Sequence, residues 1–394
     1  MKRTVKDLAN LKGKVVLLRV DFNVPIDENG KILDATRIVQ TLPTIKYLIE
    51  KQAKIVLISH LGRPNGYEIR KSLWPIALVL MRLLPTRVYF ANKAVGKEVE
   101  EQINNMKNGD VLLLENIRFY EGETNCDLNF AKEIAKLGDV FVNDAFGVAH
   151  REHATTYAIA RIMPNAIGLL MEKEIEGLSG AIKEPKHPFV VIIGGAKVKS
   201  KIKFMMKLLE VADTIIIAGA MAYTFMVASG FSVGQSVVYD DSVEYARDIL
   251  NIAYSQGKKI LLPTDHICLR ENAKKKKPIV AKDLVDDMVA YDIGPKTIKM
   301  FKEEIKNAKQ ILWNGPLGKY EDARFCEGTK EIAKAIANSK AYTIVGGGDS
   351  VSAVKKVGCE DKIDLVSTGG GATLKFIEDE TLPCISVIQE KIKL

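Results

Sequence analysis

Short apolar runs, each ending in a polar cluster and followed by a segment with helical spacing, recur through the first half of the chain. Val15 to Val20 gives way to Asp21-Phe22-Asn23-Val24-Pro25, and Ile55 to Ser59 to His60-Leu61-Gly62-Arg63-Pro64. Val111 to Leu114 gives way to Glu115-Asn116-Ile117-Arg118-Phe119, and Val140 to Val142 to Asn143-Asp144-Ala145-Phe146-Gly147, with His150-Arg151-Glu152-His153 beyond. Runs this short and continuous predict strands buried on both faces. Thr41 to Gln52 and Leu128 to Leu137 predict helices between them. Strands alternating with helices imply a parallel, doubly wound sheet, whose ligands bind beyond the carboxyl ends of the strands.

From about Asn165 to Ile182 the texture changes to apolar residues at helical spacing with charges opposite, leading into Lys183-Glu184-Pro185. A helix ending before Pro-Lys-His-Pro is expected to connect two domains. The second half then repeats the strand-to-loop theme with glycine in place of arginine. Phe189 to Ile193 leads to Gly194-Gly195-Ala196-Lys197, Ile216-Ile217 to Ala218-Gly219-Ala220, and Ile260 to Leu262 to Pro263-Thr264-Asp265. Ile311 to Trp313 leads to Asn314-Gly315-Pro316, Thr343 to Val345 to Gly346-Gly347-Gly348-Asp349-Ser350, and Leu365 to Ser367 to Thr368-Gly369-Gly370-Gly371-Ala372. The uncharged stretch Thr214 to Tyr239 lacks positive flanks and sustained apolarity, so it is expected to be a buried strand, Ile215 to Ala218, and a buried helix around Met221 to Ala228, with no membrane span.

At 394 residues the chain is long enough for two or three domains, and 47% hydrophobic with 27% charged residues is a globular composition. The net charge of +8 favours anionic partners. Half of that excess sits in Lys274 to Lys277, which reads as a solvated loop rather than a nucleic-acid contact, since no aromatic residues interleave with it. Five cysteines with no CxxC pair argue against a disulfide framework or a zinc site and fit free thiols in a reducing cytoplasm. Nothing near the N-terminus offers the apolar region of a signal peptide.

The chemistry gathers at the strand ends. Arg37, His60, Arg63, Arg118 and Arg151 lie on or near successive loops at one sheet edge, where guanidinium forks suit carboxylate or phosphate. Asp21 and Asn23 add groups that could hold a substrate hydroxyl. The implied ligand is small and multiply anionic. In the second half, Lys197, Lys199, Lys201 and Lys203 crowd the expected start of a helix, against its macrodipole. Either they form a solvated face beside a glycine turn, or a polyphosphate neutralises them. Asp349, after three glycines, could hold Mg²⁺ beside nucleotide phosphates or act as a helix N-cap. No GxxxxGK[ST] is present and no GxGxxG follows a strand, which disfavours a P-loop ATPase and a nicotinamide dehydrogenase. Transfer of a phosphoryl group between two bound ligands fits these half-sites and needs placement and charge neutralisation more than covalent chemistry. A catalytically silent protein with a nucleic-acid-binding surface is the alternative of another class.

The motifs LRVDFNVP, ISHLGRP, LLENIRF, VNDAFGVAHREH, IIGGAKVKSK, LWNGP, VGGGDS and STGGGA, in this order and spacing, closely resemble those of phosphoglycerate kinase, over essentially the entire chain. The resemblance implies two Rossmann-like doubly wound parallel-sheet domains: 1–165 for phosphoglycerate, a connector helix and hinge at 166–184, 185–375 for the nucleotide, and a segment 376–394 packing back on the first domain. It implies a monomeric cytoplasmic enzyme that moves a phosphoryl group between 1,3-bisphosphoglycerate and ADP by hinge bending, giving 3-phosphoglycerate and MgATP.

Carried over by motif, Asp21, Phe22, Asn23, Arg37, His60, Leu61, Gly62, Arg63, Arg118 and Arg151 would bind the phosphoglycerate. Arg37, Lys197 and Gly370 would be catalytic. Gly195, Ala196, Lys197, Lys201, Gly219, Gly294, Asn314, Pro316, Glu321, Gly347, Gly348, Asp349 and Ser350 would bind the nucleotide, with Asp349 the Mg²⁺ ligand and Glu321 on the ribose. The chain departs from the family's pattern at Ala218 and Ala220, at Lys199-Ser200, and at Lys319-Tyr320 before Glu321.

Overall fold

A computed structural model describes residues 1–273 and 277–391. Of the lysine run Lys274 to Lys277, all but Lys277 lies outside the described residues. The chain divides into two compact units, Met1–Glu176 together with the segment from Thr381 onward, and Gly177–Glu380. The helix Leu169–Lys183 starts in the first unit and ends in the second.

The first unit is built on a six-stranded sheet. Its strands are β1 (Val15–Arg19), β2 (Lys54–Ile58), β3 (Val88–Phe90), β4 (Val111–Leu113), β5 (Val140–Asn143) and β6 (Asn165–Ile167), in the order β3-β4-β2-β1-β5-β6 and all parallel. Alternate residues of β1, Val16 and Leu18, join the core formed with Ile38, Leu42, Ile45 and Leu48 of the helix Thr36–Glu50. That helix begins five residues ahead of the expected Thr41. Pro43 removes one donor inside it, and burial of its apolar stripe carries it through the break. The stretch Asn165–Ile167, expected to open the connector helix, is instead the edge strand β6. The Asn165 amide donates to the Met163 carbonyl at 3.3 Å, and the helix proper starts only at Leu169.

The second unit repeats the plan with β7 (Phe189–Ile193), β8 (Thr214–Ile217), β9 (Lys259–Leu261), β13 (Gln310–Asn314), β14 (Tyr342–Gly346) and β15 (Leu365–Ser367), in the order β15-β14-β13-β7-β8-β9. The helix Met221–Ala228 falls as expected, buried along most of its length. A three-stranded antiparallel sheet was not foreseen: β10 (His266–Arg270), β11 (Ile279–Ala281) and β12 (Met288–Ile293), in the order β11-β10-β12. Its buried side, Cys268, Met288 and Ala290, packs a small separate core with Tyr223 and Met226.

In both large sheets the chain reverses its direction of winding beside the first strand laid down, between β1 and β5 and between β7 and β13. Crevices open at such points in doubly wound sheets. The arginine loops surround one and the glycine loops the other.

Candidate active site

In the first unit, the loop after β1 is stitched to the loop after β2. The Phe22 backbone N–H donates to Ser59 Oγ at 2.9 Å, and Asn23 Oδ1 accepts from the Gly62 N–H at 2.8 Å. Arg37, in the first turn of its helix, donates from Nη1 to Asp21 Oδ2 at 2.6 Å. Asn116, wholly buried after β4, holds Leu61 on both sides: it accepts from the Leu61 N–H at 3.2 Å and donates to the Leu61 carbonyl at 2.9 Å. Arg118 reaches over to donate to the Gly62 carbonyl at 2.6 Å. The loops after β1, β2 and β4 are therefore tied into one edge.

Arg63, Arg118 and Arg151 line a cavity of about 570 Å³, together with His153 and Glu121. Cations gathered in a partly dry site destabilise one another. Burial, and then Arg19 and Arg151, lower Arg118 to about 10. Burial, and then Arg19, Arg118, Arg37 and Arg151, push His60 well below its usual value, so its ring is neutral. His153 falls to about 4 through burial and then Arg118, Arg19 and Arg151. A bound polyanion would relieve all three, which is the signature of a site organised for one. Sequence reasoning missed Arg19, Glu123 and His153, which back this edge. The sequence carries no sign of their burial, since an unpaired charge is too costly to bury and the partner Glu123 is distant in the chain.

In the second unit, β7, β8 and β13 end in loops joined by backbone bonds. Gly194 N–H donates to the Asn314 carbonyl, Gly195 N–H to that of Pro316 (both 2.9 Å), and Gly219 N–H to that of Leu317 (3.0 Å). A Cβ on Gly194 would sit 2.1 Å from the Pro316 oxygen, and one on Gly219 would sit 2.6 Å from the Gly195 nitrogen. These two glycines answer to close backbone approach. The Gly195 N–H, expected to face a phosphate, is already engaged.

Gly195, Ala196, Gly219, Pro316, Glu321 and Asp349 line one cavity of about 390 Å³. Its far wall is apolar and includes Tyr223, Val289 and Tyr291, the last two from β12 of the small sheet, which sequence reasoning also missed. Lys201 lies behind the loops. Its ammonium meets three acceptors, Gly194 O and Asn314 Oδ1 at 2.8 Å and Asn314 O at 3.3 Å, and burial lowers it to about 8 despite Asp349 nearby. Ser350 Oγ accepts from the Gly315 N–H at 2.6 Å. Gly347 caps the helix Gly348–Lys356, whose first turn carries the exposed Asp349, and Gly370 caps the helix Gly371–Asp379. Lys197 is exposed outside the cavity lining. Gly294 stands apart: it caps the helix Pro295–Asn307, and the Asp265 carboxylate fills the space beside it.

Among the described residues no cluster of three or more His, Cys, Asp or Glu could hold a metal by itself. Mg²⁺ bound with a nucleotide needs only one or two carboxylates beside phosphate oxygens and water, and the exposed Asp349 at the cavity wall fits that demand. No helix among them is long and apolar enough to cross a membrane.

The family profile described as phosphoglycerate kinase matches residues 5–380. The chain belongs to the phosphoglycerate kinase family. It is 49% identical to the phosphoglycerate kinase of Dictyoglomus turgidum, over 99% of this chain and 100% of that one. It is 50% identical to that of Pseudothermotoga lettingae, over 100% of both. The solved phosphoglycerate kinase of Coxiella burnetii superposes with a TM-score of 0.87 at 36% identity, covering 98% of each chain. That of Pyrococcus horikoshii gives 0.86 at 35% identity, with the same coverage. Two parallel-sheet α/β folds and the family's phosphotransferase chemistry therefore describe this enzyme.

Proposed function

We propose that this enzyme transfers the phosphoryl group reversibly between 1,3-bisphosphoglycerate and ADP, with the arginine edge of the first unit holding the phosphoglycerate and the 390 Å³ cavity of the second holding the nucleotide. The observation that carries the reading is the convergence of Arg63, Arg118 and Arg151 on one cavity beside the Asp21–Arg37 and Asn23–Gly62 pairs. Guanidinium forks recognise the phosphate and carboxylate of a small acid, and Asp21 or Asn23 its hydroxyl. Arg37 stabilises charge on the group in transfer, and Lys197, free to move on an exposed turn, follows it. The N–H groups at the helix starts after Gly347 and Gly370 face phosphate oxygens. Glu321 contacts the ribose. Lys201 acts from behind, bracing the loops after β7 and β13. Asp349 would hold Mg²⁺, which when bound neutralises charge on the nucleotide phosphates.

The acceptor oxygens are ionised at neutral pH, so no general base is required. A reducing cytoplasm suits five unpaired cysteines. We read the protein as a monomer, to be checked by light scattering. Transfer requires the two ligands to meet, so scattering with both substrates bound should show a smaller radius of gyration than with either alone.

A coupled assay of ATP-dependent phosphorylation of 3-phosphoglycerate tests the proposal. Activity should require Mg²⁺, and Arg118→Ala should raise KM for 3-phosphoglycerate at least ~10-fold, the value of one charge-assisted contact, while leaving KM for ATP unchanged. Turnover without the acid, or an Arg118→Ala enzyme with ordinary KM, would overturn it.

A further inference from the structure

The strand at the centre of the first sheet ends on a charge. Arg19 closes β1 and is wholly buried. Its Nε donates to Thr155 Oγ1 at 3.0 Å, its Nη1 to the Val20 carbonyl, and its Nη2 lies 3.7 Å from Glu123 Oε1. Glu123, equally buried, accepts from the Thr155 backbone N–H and hydroxyl, both at 2.9 Å. One further contact leaves this cluster toward the proposed substrate edge: Arg19 Nη2 stands 3.3 Å from His60 Nδ1.

A guanidinium has donors only. The contact therefore demands a lone pair on Nδ1, and a neutral imidazole with its lone pair there carries its proton on Nε2. The competing acceptor, Asp21 Oδ1, is 3.9 Å from the same nitrogen, beyond hydrogen-bond reach. Protonating both nitrogens would set a cation against Arg19, with Arg118, Arg37 and Arg151 also acting on the ring, against the Asp21 carboxylate 3.9 Å away and Glu123 beyond Arg19.

We propose that Arg19 is a positioning residue: by donating to Nδ1 it fixes His60 as the Nε2–H tautomer, so that the ring meets the anionic substrate as a neutral donor of set direction. The inference rests on the reading of His60 as part of the phosphoglycerate site. It separates Arg19 from a purely structural counter-ion to Glu123, because a counter-ion has no effect on which imidazole nitrogen bears the proton.

Long-range ¹H–¹⁵N correlation spectra of the full-length protein, labelled at its five histidines and assigned with His60→Gln, read the tautomer directly. His60 should show the Nε2–H pattern, unchanged from about pH 5.5 to about 8. The paired variant Arg19→Met/Glu123→Gln removes the donor without stranding a buried carboxylate. It should give mixed tautomers or a ring that titrates, with KM for 3-phosphoglycerate raised ~10-fold by the loss of one oriented hydrogen bond. Its kcat and KM for ATP should change little, and Arg19→Lys, which keeps a cationic donor, should recover part of the loss. An Nδ1–H tautomer in the wild type, or titration near 6.5, would overturn the proposal whether or not the variant folds. So would a paired variant with wild-type tautomer and KM. If His60→Gln leaves KM unchanged while the tautomer is as stated, the site reading fails and the proposed role falls with it.

Discussion

Charge placement at single residues decides how this enzyme should respond to pH. Burial lowers His266 to about 4, against Asp265 and Asp283, and lowers His153 to about the same value. A histidine depressed in the folded state binds protons more readily when unfolded, so its stabilising effect is full above the unfolded value near 6.5 and is lost as pH falls toward 4. Asp144 and Asp292, raised by burial to about 7, act in the opposite sense: their contribution is full below the unfolded carboxylate value and fades as pH rises through 7. Between about pH 6.5 and 4 the histidines lower thermal melts while the two aspartates offset that fall, so the histidine contribution is read from a variant that lacks one. The loss on acidification should be smaller in His266→Phe, which keeps an aromatic ring packed near Tyr223; an equal pH dependence in the two proteins would show that His266 does not contribute to it. Lys201 gives a prediction at the other end of the scale. Its ammonium, lowered to about 8, holds the loops under the nucleotide cavity, so KM for ATP should climb as pH passes 8 while KM for 3-phosphoglycerate does not follow. At this scale the exposed and loop residues were legible, because arginine and glycine at strand ends carry their own chemistry. Arg19 was not. One charged residue closing an apolar run reads as the point where a strand meets solvent, and only the buried carboxylate of Glu123, a hundred residues on, makes it an interior group.

Among the elements, strand-to-loop junctions were readable and one-sided strands were not. The runs that became β1, β2, β7 and β8 are continuous and rich in β-branched residues, and β13 is apolar between Gln310 and Asn314, since each is covered on both faces. The strand β12 alternates buried and half-buried positions over Met288–Ile293, and β11 is only three residues long, so neither stands out from a polar loop. Yet β12 supplies the apolar wall of the nucleotide cavity. The glycine-rich junctions were visible, and at Gly194 and Gly219 the structure adds a reason the sequence does not carry, backbone lying against backbone. Gly219→Ala should therefore be harmful twice over, through its φ of +68° and through overlap with Gly195. A loss of ~2–3 kcal/mol in stability and a raised KM for ATP are expected. A variant that melts and binds ATP like the wild type would show that the loops can part freely.

For the whole molecule, the chain's return to its beginning is the organising feature. The segment after Thr381 belongs to the first unit, where the Arg3 N–H donates to the Gln389 carbonyl at 2.8 Å and the Gln389 N–H to Asn165 Oδ1 at 2.8 Å. Leu382, Cys384, Ile385 and Ile388 are buried there, and the Cys384 thiol donates to the Arg151 carbonyl at 3.1 Å. A chain ending at Glu380 should lose several kcal/mol, given ~1.5–3 kcal/mol for each large apolar side chain. It should also bind 3-phosphoglycerate more weakly, because the Arg151 loop loses its backing; a calorimetric scan and a KM measurement check both. The two α/β units were legible from the alternation of strands and helices, and the family from its ordered motifs. The limits of the connecting helix were less so, because the apolar residues of β6 continue its pattern without a break.

We propose that arginine in the first unit and lysine in the second stabilise the phosphoryl group in transfer. The most direct test is kcat for ATP-dependent phosphorylation of 3-phosphoglycerate in Arg37→Ala and Lys197→Ala, measured at saturating substrates. A fall of ~10²–10³ or more is expected in each, with the folded protein otherwise intact. Near wild-type turnover in both variants would contradict it.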